Sequence, residues 1–232
     1  MISDNIQRVR ERIAEAARKA GRRPEEIKLV AVSKHLPAEA IIEAYAAGQT
    51  VFGENYIQEV QAKKDLVPPG VVFHFIGHLQ SNKAKIAAGI CGMIETVDSY
   101  KVGRALNTHL ETLNRSIDVL IQVNIGDDLS KAGIKEAGAE ELLTQLNELP
   151  RIRVRGLMTM PPLAAAPELS RPHFRNLRRL AEKLALNRLF PESAQPELSM
   201  GMSDDFPIAI EEGATIVRVG TAIFGQRAVS TK

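Results

Sequence analysis

A lysine at the end of an apolar, β-branched segment is the residue of this chain best suited to covalent chemistry. The segment KLVAVSK ends at Lys34 and is typical of a strand that is buried on both faces. Partial desolvation at such a position favours the neutral amine, which condenses with an aldehyde to form a Schiff base. On position alone, a lysine that only marks where the strand meets water is the simpler interpretation.

Two glycine-containing segments near the end of the sequence have the composition of anion sites. In MGMSDD, Gly201 allows close approach of a ligand to the backbone, and Ser203 is placed to cap the next helix. The first amides of such a helix bind anions. Gly220 and Thr221 offer further amides and a hydroxyl after the last apolar segment. Plain helix capping and a plain strand exit remain open as alternatives.

Short apolar segments alternate with helical stretches along the whole chain. The predicted strands are 28–34, 51–54, 72–77, 93–98, 118–124, 154–160, 197–202 and 216–220. The predicted helices between them are 37–47, 55–66, 79–88, 99–114, 138–149, 170–187 and 204–212. Eight such units in 232 residues predict an α/β fold, a (β/α)8 TIM-type barrel, in preference to an open doubly wound sheet.

An extra N-terminal helix is predicted over 3–20, because its apolar residues recur at helical spacing. It precedes the first strand and can cover the eighth position around the barrel. Ser3 or Asp4 is expected to cap its start. Glycines are expected to close four helices with a left-handed residue: Gly21, Gly48, Gly89 and Gly213.

The barrel brings the candidate residues together. Sites in this fold lie at the carboxyl ends of the strands, and the loops after strands seven and eight commonly bind phosphate. Because strand one is the neighbour of strand eight in a closed barrel, Lys34 is expected beside the Gly220 segment. A cofactor that carries both an aldehyde and a phosphate would bridge them. The segment 160–170 is predicted to be a loop on the same face.

Composition restricts the classes of function. The chain is 44% hydrophobic and 25% charged, with a net charge of +2 and no basic patch typical of nucleic-acid binding. It has no signal-peptide pattern and no apolar run long enough to span a membrane. Cys91 is the only cysteine, which excludes an intrachain disulfide. We expect a single cytoplasmic domain over 1–232 that binds neither nucleic acid nor membrane.

Other candidates are weaker. His74 and His78 are four residues apart in one predicted strand, about 13 Å, which is too far to share a metal ion. A core or rim role is therefore preferred, and no metal site is expected. Lys131, in a glycine-flanked loop, is more simply a solvated lysine, although it is also the candidate for a second, weaker cofactor site.

Seven segments carry a family resemblance: LVAVSKHLP, VFGENYIQE, FHFIGHLQSNK, SKAGI, VRGLMTM, LSMGMSDDFPIAIEEG and RVGTAIFGQR. In this order, they resemble the pyridoxal phosphate homeostasis proteins, a group similar to the N-terminal barrel of alanine racemase. The resemblance covers nearly the whole chain.

The resemblance implies a binding site for pyridoxal 5′-phosphate (PLP). Lys34 would carry the cofactor as a Schiff base, and Arg218 would face the pyridine nitrogen. The residues implied to hold the phosphate are Ser203, Gly220 and Thr221, and Asn55 would lie near the ring. His78 and Met158 match family motifs without an assigned role. His35 stands where many members have threonine, which alters local hydrogen bonding without affecting the lysine chemistry.

The resemblance also implies the function of an intracellular PLP carrier without strong catalytic activity. A protonated Arg218 leaves the pyridine nitrogen unprotonated, and a neutral ring is a poor electron sink. Only residues 221–232 follow Gly220, so we expect no second domain of the kind that brings a tyrosine base to racemases. The implied protein is a monomer that hands PLP to acceptor apoenzymes, and whether this transfer involves transient contact between the proteins is left open.

Two other functions are weighed against the carrier. A PLP-dependent amino-acid racemase would share the same site, and Tyr56, next to Asn55, is the residue that keeps this alternative open. Tyr45 and Tyr100 lie in or beside predicted helices, away from the strand ends. A Schiff-base aldolase is disfavoured, because aldolase lysines usually lie on strand six, where this chain has Met158-Thr159-Met160.

Overall fold

A computed structural model of the chain describes residues 1–126, 131–162, 165–190 and 195–225. Within these residues, eight parallel strands pair in sequence order and the first pairs with the last, which closes a barrel. The strands are β1 (Lys28–Val32), β2 (Val51–Glu54), β3 (Val72–Phe75), β4 (Met93–Val97), β5 (Ile117–Gln122), β6 (Ile152–Met158), β7 (Glu197–Ser199) and β8 (Ile216–Val219). The prediction of a (β/α)8 barrel is confirmed.

Helices alternate with the strands and pack around them. They are α1 (Ile2–Lys19), α2 (Ala38–Ala46), α3 (Ile57–Lys63), α4 (Ala84–Ile90), α5 (Tyr100–Thr112), α6 (Ala139–Asn147), α7 (Arg171–Leu186), α8 (Phe206–Glu211) and α9 (Thr221–Phe224). The sequence did not predict α9, whose single turn is too short to show a helical period. None of the described helices is both long and apolar enough to cross a membrane.

Several strands are shorter than predicted at their carboxyl ends. β1 stops at Val32 and β7 at Ser199, because the residues that follow leave the strand ladder and form turns. One such turn is closed by a hydrogen bond from the Asp205 N–H to the Met202 carbonyl, at 3.2 Å. These turns form the face of the barrel on which the candidate residues lie.

The N-terminal helix α1 occupies the position predicted for it. Its buried residues face α2, α8 and α9, so it fills the gap in the ring of helices beside β8 and β1. The predicted capping was wrong: Met1 is the N-cap, without a side-chain hydrogen bond, while Ser3 and Asp4 lie inside the first turn.

Three of the four glycines predicted to close helices do so. Gly21, Gly48 and Gly213 all have positive φ just after a helix. The prediction for Gly89 was wrong, because α4 continues through Ile90 and then ends at Cys91 in extended backbone.

Within the described residues, the interior of the barrel contains an apolar layer and a polar one. An apolar layer contains five fully or almost fully buried side chains: Val30, Met93, Leu120, Met158 and Ile216. Since alternate residues of a strand share a face, Glu95 and Arg218 lie two positions beyond Met93 and Ile216 on the inward side. Polar side chains therefore form the next layer towards the carboxyl-terminal face.

Candidate functional site

Lys34 lies in a tight turn that begins where β1 ends. A hydrogen bond from the Leu36 N–H to the Ser33 carbonyl, at 3.1 Å, closes this turn. His35, its third residue, has a φ of 61°, in the left-handed region that non-glycine residues seldom adopt. Lys34 is half-buried and lies on the carboxyl-terminal face, where barrels of this type bind their ligands.

A buried ionic network lies behind this turn, between the barrel wall and α3. We call Ser33, Glu54, Glu59 and Lys63 the outer network. The Lys63 ammonium donates to Oε1 of Glu54 and Oε2 of Glu59, both at 2.8 Å, and to the Ser33 carbonyl at 3.1 Å. The Ser33 hydroxyl donates to the same Glu54 oxygen at 2.7 Å. Residues that neighbour Lys34 are thus tied to helix α3.

The two carboxylates of the outer network differ in their electrostatics. Burial raises the pKa of Glu54 above its ordinary value, and the hydrogen bonds from Lys63 and Ser33 only partly oppose this effect. The second oxygen of Glu54, Oε2, is buried without a hydrogen-bond partner. For Glu59, burial also acts to raise the pKa, but the hydrogen bonds from Lys63 and from the His35 N–H hold it below its ordinary value.

Arg218 lies inside the barrel and belongs to a second buried network. We call His74, Glu95, Ser199 and Arg218 the inner network. Arg218 donates from Nη1 to the Ser199 hydroxyl at 2.5 Å, and from Nη2 to the Thr159 carbonyl at 2.9 Å. Ser199 donates in turn to Oε2 of Glu95 at 2.5 Å, and Oε1 of Glu95 lies 2.6 Å from Nδ1 of His74. The guanidinium is therefore held in a single orientation.

The inner network keeps opposite charges side by side. Burial acts to raise the pKa of Glu95, but the interactions with His74 and Arg218 hold it below its ordinary value. Burial lowers the pKa of the Arg218 guanidinium, and the carboxylates of Glu95 and Asp205 oppose this effect. Arginine remains protonated under these conditions. Glu95 is thus a buried carboxylate that balances a buried cation.

Ser203 has a different role from the one predicted. It does not cap α8, whose N-cap is Asp205. Its hydroxyl oxygen instead accepts hydrogen bonds from the N–H groups of Gly220 and Ala222, at 3.3 and 3.4 Å. The reason is that the chain turns once more before α8 begins, which carries Ser203 across to the end of β8. Two backbone amides therefore converge on one oxygen.

The ends of β7, β8 and β1 lie next to one another. A Cβ atom added to Gly220 would lie 3.4 Å from Cβ of Val32, the last residue of β1. Thr221 follows as the exposed first residue of α9. The structure thus brings the Lys34 turn, Gly220, Thr221 and Ser203 to one sector of the face, with Arg218 on the inward side of β8.

Asn55 lies on the neighbouring sector, directly after β2. It is half-buried and lines a cavity of about 390 Å³ together with Tyr56, His78 and Lys83. A second cavity, of about 370 Å³, includes Ser203 among its lining residues. Lys34 lines neither of these two cavities. The centroids of the Tyr56 and His35 rings are 5.3 Å apart, so Tyr56 contacts the Lys34 turn at His35.

The remaining candidates have separate places in the fold. His74 is buried in the barrel core, whereas His78 is exposed at the rim, 3.3 Å from Asp98. Met158 belongs to the apolar layer of the interior. Lys131 is half-buried, and its carbonyl accepts a hydrogen bond from Asn124. Among the described residues, no three metal-ligating side chains gather in a cluster.

Sequence reasoning missed most members of the two networks. Glu54 and Glu95 carried a signal, because each is a carboxylate within an apolar strand that must be paired when buried. Lys63 carried less, since a lysine in a helix normally faces solvent. Ser199 carried none that distinguishes it from other strand serines.

Comparison with known proteins gives a family match over almost the whole chain. Residues 5–228 match the family described as alanine racemase, N-terminal domain. The pyridoxal phosphate homeostasis protein of Escherichia coli strain K12 is 44% identical over 100% of this chain and 99% of its own length. The protein of the same name from Aquifex aeolicus is 43% identical over 97% of both chains.

Solved structures agree with this match. PipY of Synechococcus elongatus PCC7942, with PLP bound, is 37% identical and superposes with a TM-score of 0.84 over 97% of this chain and 100% of its own. Alanine racemase from Corynebacterium glutamicum is 24% identical and has a TM-score of 0.66, covering 99% of this chain but 62% of its own. The second likeness concerns the fold alone.

Proposed function

Because the chain belongs to the alanine racemase N-terminal domain family, among its pyridoxal phosphate homeostasis proteins, we propose that it binds PLP and serves in PLP homeostasis. The observation that carries this proposal is the meeting of three strand ends on one face. The Lys34 turn, the amides of Gly220 and Ala222 and the oriented Arg218 all lie there.

The convergence of two amides on one oxygen fits a phosphate group. The N–H groups of Gly220 and Ala222 point at the Ser203 hydroxyl, a side-chain group that can rotate, and not at a backbone carbonyl. They remain available to an anion that joins or replaces this hydroxyl. We assign the phosphate to Ser203, Gly220 and Thr221.

PLP supplies an aldehyde, which condenses with a lysine amine to a Schiff base, and we assign that lysine as Lys34. Arg218 would donate a hydrogen bond towards the pyridine nitrogen, held in place by Ser199 and the Thr159 carbonyl. Asn55 would contact the ring from the β2 side.

The same features favour a carrier over an enzyme. A fixed, protonated Arg218 leaves the ring nitrogen unprotonated, which disfavours carbanion chemistry. Tyr56, the tyrosine beside Asn55, is 51% exposed and contacts His35, so it is not held as a buried proton donor. An amino-acid racemase that uses Tyr56 is the alternative.

The first experiment is borohydride reduction of the PLP-loaded protein followed by peptide mass mapping. A pyridoxyl mass on Lys34 is expected, and Lys34→Ala should lose it while remaining folded. Lys28→Ala is the matched control, because Lys28 starts the same strand at the opposite end of the barrel. A label on another residue, with Lys34 unmodified, would overturn the assignment.

A racemisation assay with saturating PLP then separates the carrier from the enzyme. Little turnover is expected from the wild-type protein. Turnover at ordinary enzyme rates that is lost in Tyr56→Phe would establish the racemase instead.

The proposal extends to the setting of the protein. We propose one PLP-binding domain over 1–232, a monomer in the cytoplasm, which contacts PLP-dependent apoenzymes transiently. Sedimentation of the purified chain tests the monomer, and transfer of PLP across a dialysis membrane tests whether contact is needed. The second cofactor site at Lys131 stays a prediction that the same mass mapping examines.

A further inference from the structure

The two residues that flank Lys34 are both held by the outer network. Ser33 uses its hydroxyl on Glu54, and its carbonyl accepts from Lys63. His35 donates its backbone N–H to Oε2 of Glu59 at 2.7 Å, and its ring Nδ1 lies 3.1 Å from the other oxygen of Glu59. One ionic unit on α3 therefore holds the backbone on either side of the lysine.

This hold is needed because the turn is strained. His35 adopts a φ of 61° although it is not glycine. Such a conformation persists only where the surrounding structure over-determines it, and it is common at ligand-binding positions. Glu59 contacts His35 at two points, and the Tyr56 ring lies beside the His35 ring, with their centroids 5.3 Å apart. These contacts are the means by which the strain is maintained.

Lys63 makes the arrangement rigid. Its side chain is only 9% exposed and bridges Glu54, at the end of β2, to Glu59, on its own helix. Because Glu54 is part of the barrel wall, Lys63 transmits the position of the wall to Glu59, and Glu59 transmits it to the turn. Lys63 bridges Glu54 and Glu59, and these two carboxylates contact Ser33 and His35, the residues on either side of Lys34. Packing between a helix and a strand alone would not require this arrangement.

We propose that Glu59 and Lys63 are positioning residues that hold the turn of Lys34 in the conformation that captures PLP. The inference rests on the proposed function, since it assumes that Lys34 carries the cofactor. Glu59 and Lys63 would then raise the affinity of the protein for PLP without touching the cofactor themselves.

The test uses the full-length protein and compares PLP affinity with folding stability. Glu59→Ala removes both contacts to His35. The affinity of this variant for PLP is expected to fall about tenfold. The rate at which borohydride traps PLP on Lys34 is expected to fall by the same factor. Glu59→Gln keeps an acceptor for the His35 N–H and is expected to retain most of the affinity. Glu26→Ala is the matched control, because it removes a paired glutamate at the opposite end of the barrel.

A second substitution separates positioning from general stability. Glycine adopts positive φ at little steric cost. His35→Gly in the Glu59→Ala background is therefore expected to restore part of the lost affinity without restoring unfolding stability. Wild-type affinity in Glu59→Ala would overturn the inference, and so would an affinity loss that follows stability and is not relieved by glycine.

Two further outcomes are interpretable. Should Glu59→Ala fail to fold, the pair Glu54→Gln with Lys63→Met removes the bridge without leaving an unpaired charge on β2, and the same tenfold loss is expected. Wild-type affinity in that double variant would also overturn the inference. If the wild-type protein is not labelled on Lys34, the assignment of that lysine fails, and with it the premise of this inference. If Lys34 is labelled and the variants bind PLP normally, only the positioning role fails.

Discussion

The inner and outer networks are both buried and ionic, yet they differ in how completely they are satisfied. The inner network encloses its charges, and none of its buried side-chain atoms lacks a partner. The outer network leaves Oε2 of Glu54 without one. Burial raises the pKa of Glu54, so this carboxylate is more easily neutralised than Glu95, whose partners hold its pKa below the ordinary value.

This difference separates two tasks within one site. Inside the barrel wall, the charged guanidinium of Arg218 must keep one orientation. No buried side-chain atom of the inner network therefore lacks a partner. Outside the wall, a turn must be held in place, and a network with one unfilled position is sufficient.

The largest effect is expected from Glu95→Ala. It leaves the buried Arg218 cation without its carboxylate, and breaking a buried pair in this way costs about 3–5 kcal/mol. Urea denaturation measures the loss. Asp118→Ala, which breaks the partly exposed pair with Arg153, is the control and should cost less than about 1 kcal/mol. Equal losses in the two variants would mean that Glu95 does not balance Arg218.

Lys63→Met should cost less, about 1–3 kcal/mol, although Lys63 is also buried between charges. The reason is that Glu54, whose pKa is already raised, can become protonated once its cation is removed. Thermal and urea unfolding both report the change, with Lys19→Met at the surface as control. A loss as large as that of Glu95→Ala would remove the distinction between the networks.

The serines offer a matched pair of smaller changes. Ser199→Ala removes the hydroxyl that joins Arg218 to Glu95, and it is expected to cost about 1–2 kcal/mol and to weaken PLP binding. Ser33→Ala should cost about 1 kcal/mol or less, since Lys63 remains on the same Glu54 oxygen. A larger loss of stability in Ser33→Ala than in Ser199→Ala would show that the inner network depends less on its serine hydroxyl than the outer network does.

The smallest effect is a difference in pH dependence. Folding raises the pKa of Glu54, so its contribution to stability is present at low pH and is lost as pH rises through a value above the ordinary 4.5. Folding lowers the pKa of Glu95, so its contribution is present at neutral pH and is lost as pH falls below 4.5.

Unfolding free energies measured across this range should therefore diverge. The advantage of the wild type over Glu54→Gln should grow as pH falls, whereas its advantage over Glu95→Gln should shrink. Parallel pH profiles for the two variants would contradict the opposite directions of the two pKa shifts.

The sequence predicted what depends on local pattern. The apolar run before Lys34 and the repeats that follow gave the barrel, and closure then brought β8 beside β1. The start of α8 was predicted less well, because Ser203 looks like a cap but Asp205 is the N-cap, and α8 begins at Phe206. Similarly, Gly89 resembles a helix terminator although α4 runs past it.

The inner network lay beyond the sequence for a different reason. Its bonds join residues from separate strands, as with His74, Glu95 and Ser199, and nothing in a local window says which strands face one another at which height. A buried carboxylate in a strand predicts that some partner exists, but the partner depends on register and on the shear of the closed barrel.

The closure of the barrel also has a consequence for synthesis. Lys34 is synthesised before β2, whereas Gly220 and the helix α9 that packs on α1 are synthesised after all eight strands. A nascent chain that has exposed the lysine still lacks the strand that completes its surroundings, because pairing of the first strand with the last has the greatest sequence separation in the fold. If Lys34 captures PLP as proposed, a nascent chain that stops before β8 is expected not to retain the cofactor, because the strand that completes the proposed site has not yet been made.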